Sequence, residues 1–184
     1  SSSAASDVYK RQHSTYAFEK QDRETFWLKA SKSIDWIIPP KIALDDSNSP
    51  FSKSFPDGKM NSCFNAVDRH VLAGRQEQTA IQYESPIRGQ SASMSYGELK
   101  KQTEKFAGML NEQGLKKGDR VIIYMPMIKE AVIAMLGCAR IGVVHSVVFG
   151  GFAAAELAKR INDCKPKLIV SASCGHGHKK HLLL

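Results

Sequence analysis

The sequence has no apolar run long enough to cross a membrane as a helix. Such a span needs about 18 consecutive apolar residues. The longest apolar stretch, residues 131–149, is interrupted by Gly137, Arg140, Gly142 and His145. We therefore expect no membrane span. The composition, 42% hydrophobic and 24% charged over 184 residues, excludes collagen-like, disulfide-dense and fully disordered proteins and fits one globular domain with an additional terminal arm.

Closely spaced cysteine pairs are also missing. The chain has four isolated cysteines, at positions Cys63, Cys138, Cys164 and Cys174. Zinc sites usually take their ligands in close pairs, and the histidines after Cys174 do not have that spacing, so we expect no metal site. Unpaired cysteines favour a reducing compartment. The cytoplasm and the mitochondrial matrix both qualify, and the sequence does not decide between them.

Several motifs of catalysis are absent. The chain has no GxxxxGK[ST] phosphate loop, no GxGxxG dinucleotide loop and no GxSxG nucleophile elbow. His145 and Ser146 are adjacent, and adjacent side chains of a strand point to opposite faces. They therefore cannot act as a base and its nucleophile. None of these motifs marks a catalytic residue in this chain.

Acidic residues are fewer than basic ones, 18 against 26, which gives a net charge of +8. Residues 61–184 hold most of the excess, with 17 basic and 10 acidic side chains. A basic protein invites a nucleic-acid interpretation. However, the lysines occur as scattered pairs, and neither an aromatic RNA-binding strand nor zinc-finger spacing is present. We predict a solvated surface, with an anionic small molecule as the alternative, and no nucleic-acid partner.

Both ends of the chain differ from the rest. Residues 1–12, SSSAASDVYKRQ, are rich in serine and alanine without helical or strand periodicity. Residues 175–184, GHGHKKHLLL, hold three of the six histidines. We interpret the first segment as a non-native leader and the second as a non-native tail.

Residues 13–74 are predicted to form an N-terminal arm. Trp27 and Trp36 flank a short helix-like segment, which Pro39 and Pro40 are expected to end. A second helical pattern covers residues 64–72 and is expected to end near Gly74.

Residues 75–174 are predicted to form an α/β unit. After a short strand at residues 79–85, Ser95-x-x-Glu98 is a capping box that opens a helix closed by Gly114. Apolar strand patterns then alternate with helical patterns, in the order strand 120–125, helix to Gly142, strand 143–149, helix through Leu157 and Ile161, and strand 167–171 after Pro166. This βαβαβ order predicts parallel strands joined by helices.

The turn Phe149-Gly150-Gly151 is the candidate binding site. Ligands of parallel sheets bind beyond the carboxyl ends of the strands, where the next turn begins. Two glycines allow backbone to approach a ligand because no Cβ is in the way. The alternative is that the glycines only satisfy the geometry of the turn.

Six ordered blocks of the sequence carry a resemblance to a known family: FWLKASKSIDW, FPDGKMNSCFNAVDRHV, MSYGELKKQTEKFAGML, KKGDRVIIYMPM, CARIGVVHSVVFGGFAAAEL and KPKLIVSAS. Together they cover about residues 16 to 174 and resemble the N-terminal part of the short-chain acyl-CoA synthetases, which are acetyl- and propionyl-CoA ligases of the adenylate-forming superfamily. FPDGKMN and QYESPI are more similar to the propionyl branch. The resemblance implies an N-terminal arm at residues 13–74 and an incomplete parallel sheet at 75–174, the first part of the AMP-binding domain.

The resemblance also implies a reaction. A carboxylate, ATP and coenzyme A give acyl-CoA, AMP and pyrophosphate, with Mg²⁺ in the full-length enzyme. The family's Ser/Thr/Gly-rich loop and its mobile lysine domain do not occur in these residues, so a chain of this extent is expected to be inactive alone. Phe149, Gly150 and Gly151 would line the coenzyme A and acyl tunnel. Lys179 and Lys180 stand where a basic loop of the family contacts the nucleotide end of coenzyme A. The alternative is a non-catalytic binding or regulatory module of the same fold.

Overall fold

The computed structural model describes residues 2–151, 153–176 and 181–183. The chain divides into two compact units, Ser1–Met60 and Asn61–Leu184. Among the described residues, no helix is both long and apolar enough to cross a membrane.

The first unit consists of two helices followed by two small antiparallel ladders. The helices are α1 (Ser2–Gln21) and α2 (Arg23–Ser31). In one ladder β1 (Trp36–Ile38) pairs with β4 (Lys59–Met60), and in the other β2 (Leu44–Asp45) pairs with β3 (Lys53–Ser54). The Asp22 side chain begins α2 by accepting a 3.0 Å hydrogen bond from the Thr25 amide, as an N-cap residue does.

Residues 2–12 belong to α1, because alanine, lysine, arginine and glutamine favour a helix even without an apolar face. One expectation for this unit was wrong. The helix near Trp27 ends at Ser31, well before Pro39, and Trp36 lies in a strand. The Trp36 indole donates to the Ser31 carbonyl over 2.8 Å, and so satisfies one of the carbonyls that every helix end leaves without a partner.

The second unit begins with a helical segment and an antiparallel hairpin. A π-helical segment (Phe64–Asp68) continues into α3 (Arg69–Leu72), and β5 (Thr79–Ser85) pairs with β6 (Gln90–Ser95). The remaining elements are α4 (Tyr96–Glu112), β7 (Arg120–Met125), α5 (Lys129–Ile141), β8 (Val144–Phe149), α6 (Ala154–Cys164), β9 (Leu168–Ser171), β10 (Cys174–His176) and β11 (His181–Leu183).

A parallel sheet with the strand order β8-β7-β9 forms the centre of this unit. Helix α5 connects β7 to β8, and α6 connects β8 to β9, so the predicted α/β class and βαβαβ order are confirmed. Val121 and Ile123 pack with residues of α4 and α5 on one face of the sheet. Ile122 and Tyr124 pack with α6 on the other face. Helices therefore cover β7 on both sides, as a parallel sheet requires.

Helix α5 is buried on two sides. Ala131, Ala134 and Cys138 belong to the cluster on the sheet. Ile133 belongs to a second cluster, which includes Cys63 and residues of β6 and α4. Helix α5 therefore packs on the sheet with one side and on elements that precede it in the sequence with the other.

A nearly buried ion pair joins α5 to the π-helical segment. The Arg140 guanidinium donates to both Asp68 carboxylate oxygens, over 3.1 and 2.7 Å, and the side chains are 20% and 10% exposed. Asn61 supports the same junction: its amide nitrogen donates to the Arg140 carbonyl over 2.9 Å, and its side-chain oxygen accepts from the Phe64 amide. The start of the second unit is thus fixed by polar contacts as well as by apolar packing.

We expect Asp68→Asn to lower the free energy of unfolding by about 2–4 kcal/mol, because it leaves the Arg140 charge largely buried without its carboxylate. Urea unfolding of the 184-residue chain, followed by circular dichroism, measures the loss. The matched control is Lys159→Ala, which removes a pair with Glu156 on the exposed face of α6 and should cost less than about 0.5 kcal/mol. Equal losses in the two variants would contradict a structural role for the pair.

Candidate functional site

The carboxyl ends of β7, β8 and β9 meet at one edge of the sheet, where the candidate turn lies. Three connections leave this edge, at residues 126–128, 150–153 and 172–173. Strand β7 stands between β8 and β9, so consecutive connections lead to opposite sides of it. Ligand crevices of open parallel sheets form at such a change of direction.

Gly150 lies directly against backbone of the neighbouring connection. A Cβ placed on Gly150 would come within 2.9 Å of the Met125 carbonyl carbon and 3.0 Å of the Pro126 nitrogen. These atoms belong to main chain and cannot turn aside. Gly150 therefore allows the turn after β8 to pack on the turn after β7, and no other residue fits there without a backbone shift.

Gly151 has a different environment. The three atoms nearest to a Cβ placed there belong to the Phe149 ring, the closest at 2.7 Å, and this side chain is 60% exposed. Neither Gly150 nor Gly151 is among the glycines with positive φ. A left-handed backbone therefore does not explain why glycine occupies either position. The position beside Gly151 is thus filled by the exposed ring of Phe149 rather than by main chain.

Met127 is a residue of this edge that the sequence reasoning missed. It follows Pro126 in the turn after β7 and is 82% exposed. Gly150 brings that turn against the turn after β8, so two exposed apolar side chains, Met127 and Phe149, belong to adjoining turns. The sequence signal for Met127 is an apolar residue that follows a buried strand and a proline.

Two helices begin at this edge without a capping side chain. The N-cap residues are Ile128 for α5 and Ala153 for α6, and neither provides a side-chain hydrogen bond among the described residues. The first amides of a helix need partners from water or from a ligand, and they favour anions. The edge therefore combines apolar surface with amides suited to a negatively charged group.

His145 and Ser146 are not a catalytic pair. In the register of the sheet His145 stands beside Val121 and Ser146 beside Ile122, so the two side chains lie on opposite faces. Burial lowers the pKa of His145, which keeps its ring neutral at pH 7. His145 belongs to the side of the sheet that α5 packs on.

The cysteines offer no activated nucleophile in the core. All four are free, and Cys63 and Cys138 are fully buried. Burial raises the pKa of Cys138 to about 11 and also raises the pKa of Cys63. Both thiols are thus protonated at neutral pH, and a thiol without its thiolate is a poor nucleophile.

No group of three or more possible metal ligands occurs in the part of the chain that the structure describes. Lys179 and Lys180, the candidate contacts of the coenzyme A nucleotide, lie outside the described residues, as does His178.

Comparison with known proteins identifies the family. The profile described as "AMP-binding enzyme" matches residues 68–183. The chain belongs to the AMP-binding enzyme family. A second profile, "Acetyl-coenzyme A synthetase N-terminus", matches residues 12–66.

Two relatives illustrate the similarity. The human protein named "Acyl-CoA synthetase short-chain family member 3, mitochondrial" is 47% identical over 160 residues, which are 87% of this chain and 23% of the relative. The "Acetyl-coenzyme A synthetase" of Streptomyces avermitilis is 48% identical over 165 residues, which are 90% of the chain and 25% of the relative. The resemblance to short-chain acyl-CoA synthetases is confirmed. The chain spans about a quarter of the length of these relatives.

We expect Cys63 and Cys138 to resist alkylation in the folded chain, because both are buried and protonated. Treatment with iodoacetamide at pH 7.5, followed by mass spectrometry of peptides, should find Cys174 modified before either of them. After unfolding in guanidinium chloride, all four should react at similar rates. Modification of Cys138 as fast as Cys174 in the folded protein would contradict the buried assignment.

Proposed function

We propose that the chain is the N-terminal part of a short-chain fatty acid–CoA ligase, which joins a carboxylate to coenzyme A and converts ATP to AMP and pyrophosphate. The observation that carries the proposal is the consecutive match of the acetyl-CoA synthetase N-terminal profile and the AMP-binding profile, in this order, over nearly the whole chain. The names of the relatives supply the substrate class.

The turn after β8 is proposed to line the path of the coenzyme A thiol and the acyl group. Phe149, Gly150 and Gly151 are the residues assigned to it, and none of them is catalytic. Support comes from their place at the carboxyl edge of the sheet, from the absence of a side chain at Gly150 and Gly151 and from the exposed ring of Phe149. A pantetheine arm is narrow and alternates methylene groups with two amides, and a surface of exposed apolar side chain and backbone suits it.

ATP, coenzyme A and a small carboxylate are the proposed substrates of the full-length ligase. Propionate or acetate is proposed as the carboxylate, with propionate preferred on the FPDGKMN and QYESPI segments. The described residues bring together no magnesium ligands, so we assign none to this chain, and Mg²⁺ stays a prediction for the full-length ligase.

The predicted segments at residues 13–74 and 75–174 are proposed as the arm and as the first part of the AMP-binding domain. The interpretation of residues 1–12 and 175–184 as non-native stays a prediction. We propose the cytoplasm or the mitochondrial matrix as the compartment, on the four free cysteines and on the relatives described as mitochondrial.

The 184-residue chain is not expected to form an acyl adenylate by itself. The loop and the lysine domain that act on ATP in the family have no counterpart in its sequence. Carboxylate-dependent exchange between ATP and labelled pyrophosphate, measured on the purified chain with acetate and with propionate, should equal the rate without protein. Exchange above that rate would contradict the proposal. Binding of coenzyme A without exchange would agree with it, or with a binding module.

Gly151→Leu should obstruct the thiol when it is placed in a full-length ligase that carries these residues. We expect thioester formation to fall by at least about 10²-fold, which corresponds to roughly 2.7 kcal/mol, while pyrophosphate exchange changes little. The reason is that the atoms nearest to the added Cβ belong to the exposed Phe149 ring rather than to main chain, so the change displaces side chains at the proposed path of the thiol and leaves the backbone of the turn in place. Separate assays of the two half-reactions give the ratio.

Gly150→Ala is the matched control for this experiment. Its Cβ would press on main-chain atoms of Met125 and Pro126, so it should lower the melting temperature and weaken both half-reactions together, at a cost of about 1–3 kcal/mol in stability. If Gly151→Leu behaved in the same way as Gly150→Ala, the turn would be a structural element only and the tunnel assignment would be wrong.

A further inference from the structure

The amino-terminal edge of the parallel sheet carries a cluster of cations that the proposed reaction does not use. The segments 116–120 and 163–167 hold five basic side chains and two acidic ones, Asp119 and Asp163. We call the five cations the basic edge: Lys116, Lys117, Arg120, Lys165 and Lys167. All five are exposed.

Backbone hydrogen bonds hold the basic edge together. The Gly118 amide donates to the Gly142 carbonyl over 2.9 Å, and the Val144 amide donates to the Asp119 carbonyl over 2.8 Å. The Lys167 amide donates to the Arg120 carbonyl over 2.8 Å. The backbone at the start of β7, β8 and β9 is therefore tied together, and the basic side chains project from a fixed main chain.

Internal contacts engage only two of the five cations. Lys167 pairs with Asp119 over 2.8 Å, and this contact is the main reason why the pKa of the Asp119 carboxyl is lowered. Arg120 donates to the carbonyls of Cys164 and Lys165 at the end of α6. Lys116, Lys117 and Lys165 have no ion pair among the described residues.

The ends of the helices explain part of this charge. Helices α5 and α6 both end at this edge, and the carboxyl end of a helix favours nearby cations. That effect accounts for Arg120, which contacts the last carbonyls of α6. It also accounts for Lys117, whose side-chain carbons lie beside Gly142 at the end of α5. No hydrogen bond joins the Lys116 ammonium group to a helix carbonyl among the described residues.

We propose that the basic edge docks on a membrane surface of anionic phospholipids. Three unpaired lysines on a rigid sheet edge complement a layer of negative headgroups, and clusters of lysine are the usual basis of such binding. Val144 begins β8 in register with Arg120 and is 55% exposed. An apolar side chain therefore lies beside the cations, where it would contact the headgroup layer of a docked membrane. Segments 116–120 and 163–167 contain no aromatic residue, which disfavours a single-stranded nucleic acid because its bases need stacking platforms.

Docking at this edge would leave the candidate site accessible. The basic edge lies at the amino ends of the strands, whereas the turn after β8 lies at their carboxyl ends. A ligase bound in this way could receive its carboxylate while it is held at a membrane. Membrane docking by the basic edge does not require the proposed reaction, and the two can be tested separately.

Co-sedimentation of the 184-residue chain with vesicles tests the proposal. Phosphatidylcholine vesicles containing roughly 30% phosphatidylserine should bind the chain, and vesicles of phosphatidylcholine alone should not. Binding should weaken as the salt concentration rises from about 0.05 to about 0.5 M, since exposed charges are screened. The variant Lys116→Glu/Lys117→Glu should bind at least about 30-fold more weakly.

The matched control is Lys101→Glu/Lys105→Glu, which changes the net charge equally on the exposed side of α4 and should weaken binding far less. Lys116→Gln/Lys117→Gln, with circular dichroism on every variant, separates lost charge from lost folding. Equal weakening by the two charge-reversed variants would show attraction to net charge alone and overturn the proposal. Failure to bind anionic vesicles, with or without binding to duplex DNA, would overturn it as well.

Discussion

Burial of β7 on both faces is the constraint on which the second unit depends. Val121, Ile122 and Ile123 are consecutive and fully excluded from solvent, so neither face of the strand can be left without a covering layer. Helix α5 meets this need on one face and α6 on the other. The strand's central position follows, because a strand at an edge would expose part of its main chain. The turns at the two ends of the sheet then have little freedom in where they lie.

Local chemistry made the helices of this unit predictable. The Ser95 hydroxyl accepts from the Glu98 amide, and Gly142 ends α5 in the left-handed region. A few neighbouring residues are enough to recognise each of these helix ends in the sequence. Strand β6 was not predicted, because the residues QSASMS have weak strand preference and become a strand only through pairing with β5. The Ser31 carbonyl at the end of α2 accepts from the Ile34 amide and also from the Trp36 indole. The indole contact is not visible in any local sequence pattern.

The candidate site was predictable in place and less so in detail. Its position after a buried parallel strand follows from the order of elements, and the structure puts Phe149, Gly150 and Gly151 at the carboxyl edge as expected. The two glycines look equivalent in the sequence but differ in their surroundings: Gly150 faces main chain from a strand that is distant in sequence, and Gly151 faces a side chain. That difference depends on packing between turns, which composition and spacing do not report. The predicted boundary at residue 74, between the N-terminal arm and the first part of the AMP-binding domain, stays a prediction.

The contacts of Asn61 bear on how proteins of this family can be recombined. The two family profiles meet between residues 66 and 68, which makes that junction the natural crossover point for a chimera of two relatives. A crossover there would take Asn61 and Cys63 from one parent and Asp68 and Arg140 from the other. These four residues contact one another in one junction. The chimera would therefore combine contact residues from two parents that did not evolve together. A crossover just before Asn61 keeps the junction within one parent and respects the boundary of the compact unit.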